Sequence, residues 1–262
     1  MIESNHFCKI CSSKSTRIFN GKILNKYTIN YYKCESCGFV QTEKPYWLDE
    51  AYNSSINLVD TGLTRRNVLA SKSVSTILLF CFDKKAKFLD YAGGYGMFTR
   101  LMRDVGFDFY THDPYTPNLL ARGFDYNPQD TIALLTTFES FEHFVEPLEE
   151  IEKMLAISKN IFFSTHLIPT PTPPIDEWWY YGTEHGQHVA FYTPKALRYI
   201  AQRYNLQVYT LRGYHLLTEK KIGNLMFNLL VGGGRFGLNK IVNLFIKTKV
   251  NDDMIALGKL PK

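Results

Sequence analysis

The sequence predicts an α/β protein, a mostly parallel sheet with helices on both faces, preceded by a small metal-binding module. Three observations carry this expectation. Residues 87–113 run strand, glycine loop, helix, strand, acid; two Cys-x-x-Cys pairs stand at positions 8/11 and 34/37; and strand and helix patterns keep alternating as far as residue 218. Alternation of this kind argues for parallel strands joined by helical crossovers.

Composition narrows the class. With 45% apolar and 21% charged residues among 262, the chain is of ordinary globular make-up and long enough for one large core plus an appendage. Its formal charge of +5 is spread over single and paired Lys and Arg, not gathered into the stripe of a nucleic-acid binder. No window reaches the ~18–20 apolar residues of a membrane span; the nearest, 222–246, is broken by Asn224, Asn228, Arg235, Asn239, Lys240 and Asn243. Met1, Ile2 and Glu3 open the chain without an apolar leader, so a cytoplasmic location is expected. In that compartment thiols stay reduced, and duplicated Cys-x-x-Cys pairs mean metal.

Cys8, Cys11, Cys34 and Cys37 therefore read as a zinc ribbon. A two-residue gap lets both thiolates of a pair meet one ion, and two such turns complete the tetrahedral sulfur cage that zinc prefers. With no open coordination position the expected role is structural. Between the pairs, 23–33 is rich in Tyr, Thr and Ile and reads as strand. Cys81, in the apolar helical stretch 74–82, is expected to be a core thiol. The segment 44–59 carries Pro45, Tyr46, Trp47 and Tyr52 and reads as a connector packed on the next domain. The expected division is ribbon 1–44, connector and first helices 45–84, catalytic domain 85–220 and helical tail 221–262.

In the catalytic domain, Lys87–Tyr91 is a short strand with Asp90 near its end, and Ala92-Gly93-Gly94-Tyr95-Gly96 is a tight loop. Phe98, Leu101, Met102 and Val105 then repeat at helical spacing up to Gly106, and a second strand ends at His112 and Asp113. The loop lacks the G-x-G-x-x-G of a dinucleotide site and the Gly-Lys-Ser/Thr of a P-loop. Instead Asp90-x-Ala92-x-Gly94-x-Gly96 resembles the acid-x-Gly-x-Gly-x-Gly signature of class I S-adenosylmethionine-dependent methyltransferases, with Ala92 where the first glycine would stand. The resemblance extends over roughly residues 60–215: a fourth strand at 131–135, the run from Phe138 through Glu142 and His143 to Pro147, and a fifth strand at 160–165. It implies a Rossmann-like, mostly parallel seven-stranded sheet that binds S-adenosylmethionine. Asp90 would orient the loop or meet the methionine ammonium, and Ala92, Gly93, Gly94 and Gly96 would admit the cofactor against the main chain. Asp113 would accept from the ribose hydroxyls, Phe138 would border the cofactor, and Arg66 or its neighbour Arg65 would face the methionine carboxylate. Phe124 and Asp125 are placed near the adenine. Glu142 and His143 are read as a helix start.

After the fifth strand, His166 and a proline-rich loop lead into Trp178-Trp179-Tyr180-Tyr181-Gly182-Thr183-Glu184-His185-Gly186-Gln187-His188. Aromatic rings, histidines and a carboxylate at a strand's carboxyl end read as a substrate pocket, and histidine has the pKa for a base acting on a hydroxyl. The same stretch resembles bacterial methyltransferases of cell-surface polysaccharide clusters. More distantly it is similar to zinc-containing deoxysugar C-methyltransferases with a Glu-His base pair. That resemblance implies His185 as base, Glu184 as its partner and His188 as the reserve; His166, just after the fifth strand, is a further candidate. It also implies O-methylation of a sugar, nucleotide sugar or small substituent such as phosphoramidate. Two other readings stay open. One is an RNA methyltransferase gripping nucleic acid through Lys9, Lys14, Arg17, Lys22, Lys26 and Lys33; the other is a non-catalytic cofactor-binding scaffold. The last strands are expected at 207–211 and 214–218. The tail, with its Gly232-Gly233-Gly234 break, is expected to form a packed cap or dimer contact, or to lie on a membrane surface.

Overall fold

The computed structural model describes residues 6–52 and 60–259. Met1 to Glu3, on which the reading of a leaderless start rests, the last seven residues of the expected connector and the extreme end of the tail lie outside them. Two sheets organise the chain. The larger has six strands in the order β10-β11-β8-β7-β5-β6, with β5 (Lys87–Tyr91), β6 (Asp108–His112), β7 (Ile132–Phe138) and β8 (Ile161–Ser164) parallel. β10 (Gln207–Leu211) and β11 (Tyr214–Thr218) form the antiparallel pair read from the sequence, and β11 runs antiparallel to β8. Beyond β6, where a seventh strand would lie, the sheet has one parallel bridge, Thr111 to Asp125. Pro114, Pro117 and Pro128 flank that segment and cannot donate to a longer ladder.

Two apolar clusters sandwich this sheet. On one face Phe88, Phe109, Leu134 and Phe162 meet α2 (Leu63–Cys81) and α3 (Met97–Val105). On the other, Leu89, Leu135, Ile161 and Phe163 meet α4 (Pro147–Ile157) and α5 (Pro194–Arg203). The alternation of the strand residues between the two clusters is the period of two that parallel strands buried on both sides require. Cys81 is half-buried at the end of α2. The tail forms α6 (Asn224–Gly233), α7 (Asn239–Phe245) and α8 (Val250–Leu257). It packs as a cap: Phe227, Leu230, Val231 and Val242 join the α2–α3 cluster, and Asp253 of α8 receives two bonds from the buried Arg103 of α3, at 2.8 and 2.7 Å. Leu225, Leu229, Phe236, Leu244 and Met254 remain exposed on its outer side. Among the described residues no helix is long and apolar enough to cross a membrane.

The smaller sheet, β1 (His6–Phe7), β2 (Lys14–Ile23), β3 (Tyr27–Cys34) and β4 (Val40–Thr42), belongs to the cysteine-bearing segment, yet its fifth strand is β9 (Ala190–Phe191). Val40 pairs with Phe191 and Gln41 with Ala190. The N-terminal module is thus stitched by backbone hydrogen bonds to the loop that carries the predicted catalytic histidines.

Candidate active site

At the carboxyl ends of β5 and β6 lies a cleft of ≈ 240 Å³, lined by Gly94, Thr111, His112, Asp113, Asn118 and Asp125, among others. It sits where the strand order turns back on itself, since β6 and β7 flank β5 on opposite sides, and such a reversal is where open α/β sheets bind ligands. Asp90 is 2% exposed and accepts a 3.0 Å bond from Thr136 on β7. Burial pushes its carboxyl up to about 8, with a further contribution from Asp113. It stands behind the loop: a Cβ on Gly93 would come within 2.7 Å of Asp90 Oδ2 and 2.4 Å of Thr111 Oγ1. Gly93 is therefore required by its close approach to the Asp90 carboxyl. Ala92 takes φ 55°, a left-handed conformation its methyl group makes costly. Gly94, at φ +54°, borders open space: a Cβ added there would meet nothing within 4 Å. Gly96, in the left-handed region, starts α3.

Asp113 holds this loop to the next one. Its Oδ2 accepts from Gly94 N, and its Oδ1 accepts from Tyr115 N and Thr116 N, each at 2.9 Å. A carboxylate offers about four acceptor sites, so capacity remains for a ligand's hydroxyls. Thr111 Oγ1 is buried at the cleft with no hydrogen-bond partner. Asp125 lines the cleft, whereas Phe124 lies 3.5 Å beneath the Arg103 guanidinium, turned to the core. Phe138 packs on Phe98 at 4.7 Å and is only half-buried at the end of β7. The Arg66 guanidinium is bound to Asp60 at 2.7 Å.

Beyond the ends of β7 and β8 a second concentration of polar side chains forms. His143, His166, His185 and His188 surround Tyr180: His188 and His166 each stand 4.7 Å from the Tyr180 ring, His185 stands 4.7 Å from His188, and His143 stands 5.0 Å from His188. Burial lowers the pKa of His188 well below the usual imidazole value and that of His143 to about 4, with neighbouring histidines adding repulsion. Burial also lowers His185. All three are neutral near pH 7, so each ring has one donor and one acceptor nitrogen. Hydrogen bonds assign them. His188 Nδ1 faces the Tyr180 carbonyl at 2.6 Å and must donate, which leaves the Nε2 lone pair unspent. His185 Nδ1 instead accepts from the backbone amide of Gln187 at 3.1 Å, which makes its Nε2 a donor. Glu184 is exposed and no hydrogen bond joins it to His185 among the described residues; the backbone of the same loop fixes the imidazole. His166 is exposed, flanked by Trp179 and Tyr180.

Glu142 and His143, read from sequence as a helix start, form a 3₁₀ turn (Phe141–His143) that brings both side chains to His188. Glu142 is fully buried, and burial followed by Glu139 pushes its carboxyl up to about 8. A periodicity reading cannot find such a residue, because nothing in the local pattern marks which face of a single turn is enclosed.

The N-terminal module and the connector hold the histidine loop. Leu24 N donates to Thr183 O at 2.8 Å, Trp47 Nε1 to Gly186 O at 2.7 Å, and Gln187 Nε2 to Ala51 O at 2.7 Å. Its four sulfurs lie within 4.8 Å of one another, with Cys8 to Cys37 at 3.5 Å and Cys11 to Cys34 at 3.4 Å. Zinc ~2.3 Å from each sulfur gives tetrahedral edges of ~3.8 Å. The amides of Ile10 and Cys37 point at the sulfurs of Cys8 and Cys34. This donor set fits a closed thiolate cage.

A family model described as a methyltransferase domain matches residues 64–211. No curated protein matches the chain. Among solved structures, the magnesium protoporphyrin IX methyltransferase of Synechocystis with bound SAH aligns at TM-score 0.45 and 13% identity, over 65% of this chain and 90% of that one. The plantazolicin methyltransferase in complex with SAH aligns at TM-score 0.46 and 12% identity, over 68% and 79%. Human N-acetylserotonin methyltransferase in complex with SAM aligns at TM-score 0.44 and 13% identity, over 67% and 66%. The family match spans more than half of the chain, from the start of α2 to the end of β10, and takes in both the glycine-loop cleft and the histidine loop. This chain belongs to the methyltransferase domain family and has its class I, Rossmann-like fold.

Proposed function

We propose that this methyltransferase uses S-adenosylmethionine, bound against Gly93, Gly94 and Asp113, to methylate a hydroxyl of a sugar, nucleotide sugar or small sugar substituent such as phosphoramidate. The observation that carries the reading is that two unlike groups of residues stand beyond the carboxyl ends of one sheet: an acid-rimmed glycine cleft at β5 and β6, and a cluster of neutral histidines past β7 and β8. The cleft fits the cofactor on two counts, the unpartnered Thr111 hydroxyl and the open space over Gly94. S-adenosylmethionine, when bound, supplies an electrophilic methyl group on a sulfonium. Asp113 would accept from the ribose hydroxyls while Asp90 holds the loop in shape; Ala92 and Gly96 set its turns, and Phe138 closes the side toward the acceptor. Arg66 would reach the methionine carboxylate only by exchanging Asp60.

In the acceptor site His188, whose Nε2 is unspent, is the leading group to hold the acceptor oxygen, directly or through a bound cation, and His185 donates from Nε2 to orient that oxygen. His166 and the exposed Trp179 flank the mouth, a flat apolar surface with polar edges that suits a sugar ring. Glu184 remains at the rim. Zinc held by Cys8, Cys11, Cys34 and Cys37 would fold the ribbon and so keep the histidine loop in place.

Two of the six ribbon cations that an RNA reading needs are already spent. Lys9 binds Val145 O and Glu146, and Lys26 binds Glu50. This favours a small acceptor over nucleic acid. The exposed apolar side of the tail is suited to peripheral contact with a membrane or a second copy. A screen of nucleotide sugars and free sugars with S-adenosylmethionine tests the acceptor class: methylated sugar product is expected, and turnover on RNA alone would overturn it.

A further inference from the structure

We propose that Glu142, His143 and His188 form a second metal site, which takes a divalent first-row transition ion through one carboxylate and two imidazoles and keeps an open position toward the acceptor. One ligand atom from each of the three lies within 4.8 Å of the other two. Glu142 is 0% exposed, and neither of its carboxylate oxygens has a hydrogen-bond partner; the Tyr180 and Thr165 hydroxyls stand beside it without closing a bond. A buried carboxylate that closes no hydrogen bond is costly, by several kcal/mol when ionised, and native proteins seldom leave one so. A structural Glu–His pair would solve this by a direct hydrogen bond, but none joins Glu142 to either imidazole among the described residues. A cation between the three satisfies all of them together.

The outer bonds agree. Metal-bound histidines use the second ring nitrogen on a carbonyl, a carboxylate or water, which fixes the tautomer. His188 Nδ1 donates to the Tyr180 carbonyl at 2.6 Å, and His143 Nδ1 meets Tyr52 Oη at 2.8 Å. The Arg66 guanidinium, which feels the charges of Glu139 and Glu142, is bound to Asp60 instead. Two nitrogens and one oxygen suit zinc, cobalt, iron or manganese; calcium and magnesium want shells of oxygen. Three protein ligands with a vacancy contrast with the closed ribbon, and that contrast separates catalytic from structural sites. The ion's role, holding the acceptor oxygen at its open position, rests on the methyl-transfer reading; the site itself does not.

The test titrates full-length protein, its ribbon loaded with zinc, with cobalt(II) chloride. One further equivalent should bind saturably, with weak visible bands and no intense sulfur-to-cobalt band in the near ultraviolet. E142Q and H188Q should each weaken it by at least ~10-fold, with circular dichroism confirming the fold. No saturable binding beyond the ribbon, a thiolate band, or full affinity in both variants would overturn the site. Calorimetry with S-adenosylhomocysteine on the same samples separates the two claims. Heat with that product but no cobalt binding overturns the metal site alone, whereas cobalt binding without that heat overturns the ion's role in methyl transfer and the function with it.

Discussion

The cleft beside Gly94 and the pocket around His188 occupy neighbouring strand ends but are built in opposite ways. The first comes from one run of chain, from Asp90 to Tyr126, closed by its own backbone bonds to Asp113. The second gathers Glu142 and His143 from one turn, Thr165 and His166 from the end of β8, and His185 and His188 from a loop. That loop is held in place by Leu24, Trp47 and Ala51 of the N-terminal segment. A local site needs only its own strand and helix to form; an assembled one inherits the stability of every part that clamps it. The cofactor cleft should therefore survive damage that destroys the acceptor pocket.

The largest effect should come from the ribbon. Replacing Cys34 and Cys37 by Ser removes half of a site whose metal affinity, ~10–16 kcal/mol in small zinc modules, is folding energy. Hydrogen exchange at 182–193 should become fast and methyl transfer should be lost. S-adenosylhomocysteine affinity should change by less than ~3-fold, because the cofactor loop is closed by its own backbone bonds to Asp113. Equal loss of both activities would break the comparison.

Next in size, His188→Gln should lower turnover of an identified acceptor by ~10²–10⁴-fold, with S-adenosylhomocysteine affinity unchanged. His185→Gln should cost about ten-fold, the value of one donor, and Glu184→Ala close to nothing. A larger loss for His185 than for His188 would show that the loop rearranges before reaction.

On the other side, Gly93→Ala forces a methyl group against Thr111 Oγ1 and Asp90 Oδ2. Overpacking of this kind costs ~1–3 kcal/mol. S-adenosylhomocysteine affinity should fall while exchange in the histidine loop stays slow.

A last effect concerns pH and acts on stability, leaving the contrast between the two sites untouched. Asp90 is held up to about 8 by burial, so the folded state binds its proton more tightly than the unfolded chain. That contribution is fully present below pH ~3.9, the unfolded value, and is lost as pH rises through about 8. Asp90→Asn should flatten the decline in stability between these limits in urea titrations, and an unchanged slope would show that Asp90 is ionised in the fold.

The same contrast explains what the sequence disclosed. Asp90 to Gly96, Asp113 and the two cysteine pairs are short-range patterns whose spacing is itself the geometry, and β10 and β11 stand at the residues read for them. Long-range facts left no such trace. Nothing local says that Ala190 and Phe191 add a strand to the cysteine module, or that Asp60 occupies Arg66. The tautomer of His185 hangs on one amide, Gln187 N, whose direction only the folded loop defines. Glu142 gave a helix-start signal because a buried, unpartnered carboxylate looks, in sequence, like any other Glu in a short run of aromatic residues.

Titration calorimetry with S-adenosylhomocysteine, run on zinc-loaded protein and on its Asp113→Ala variant, tests the central claim most directly. One-site binding that the variant abolishes or weakens by at least ~10-fold is predicted, since a charged acceptor on a ligand hydroxyl is worth ~1.5–3 kcal/mol. Absence of heat in the parent protein, or equal affinity in the variant, would contradict it.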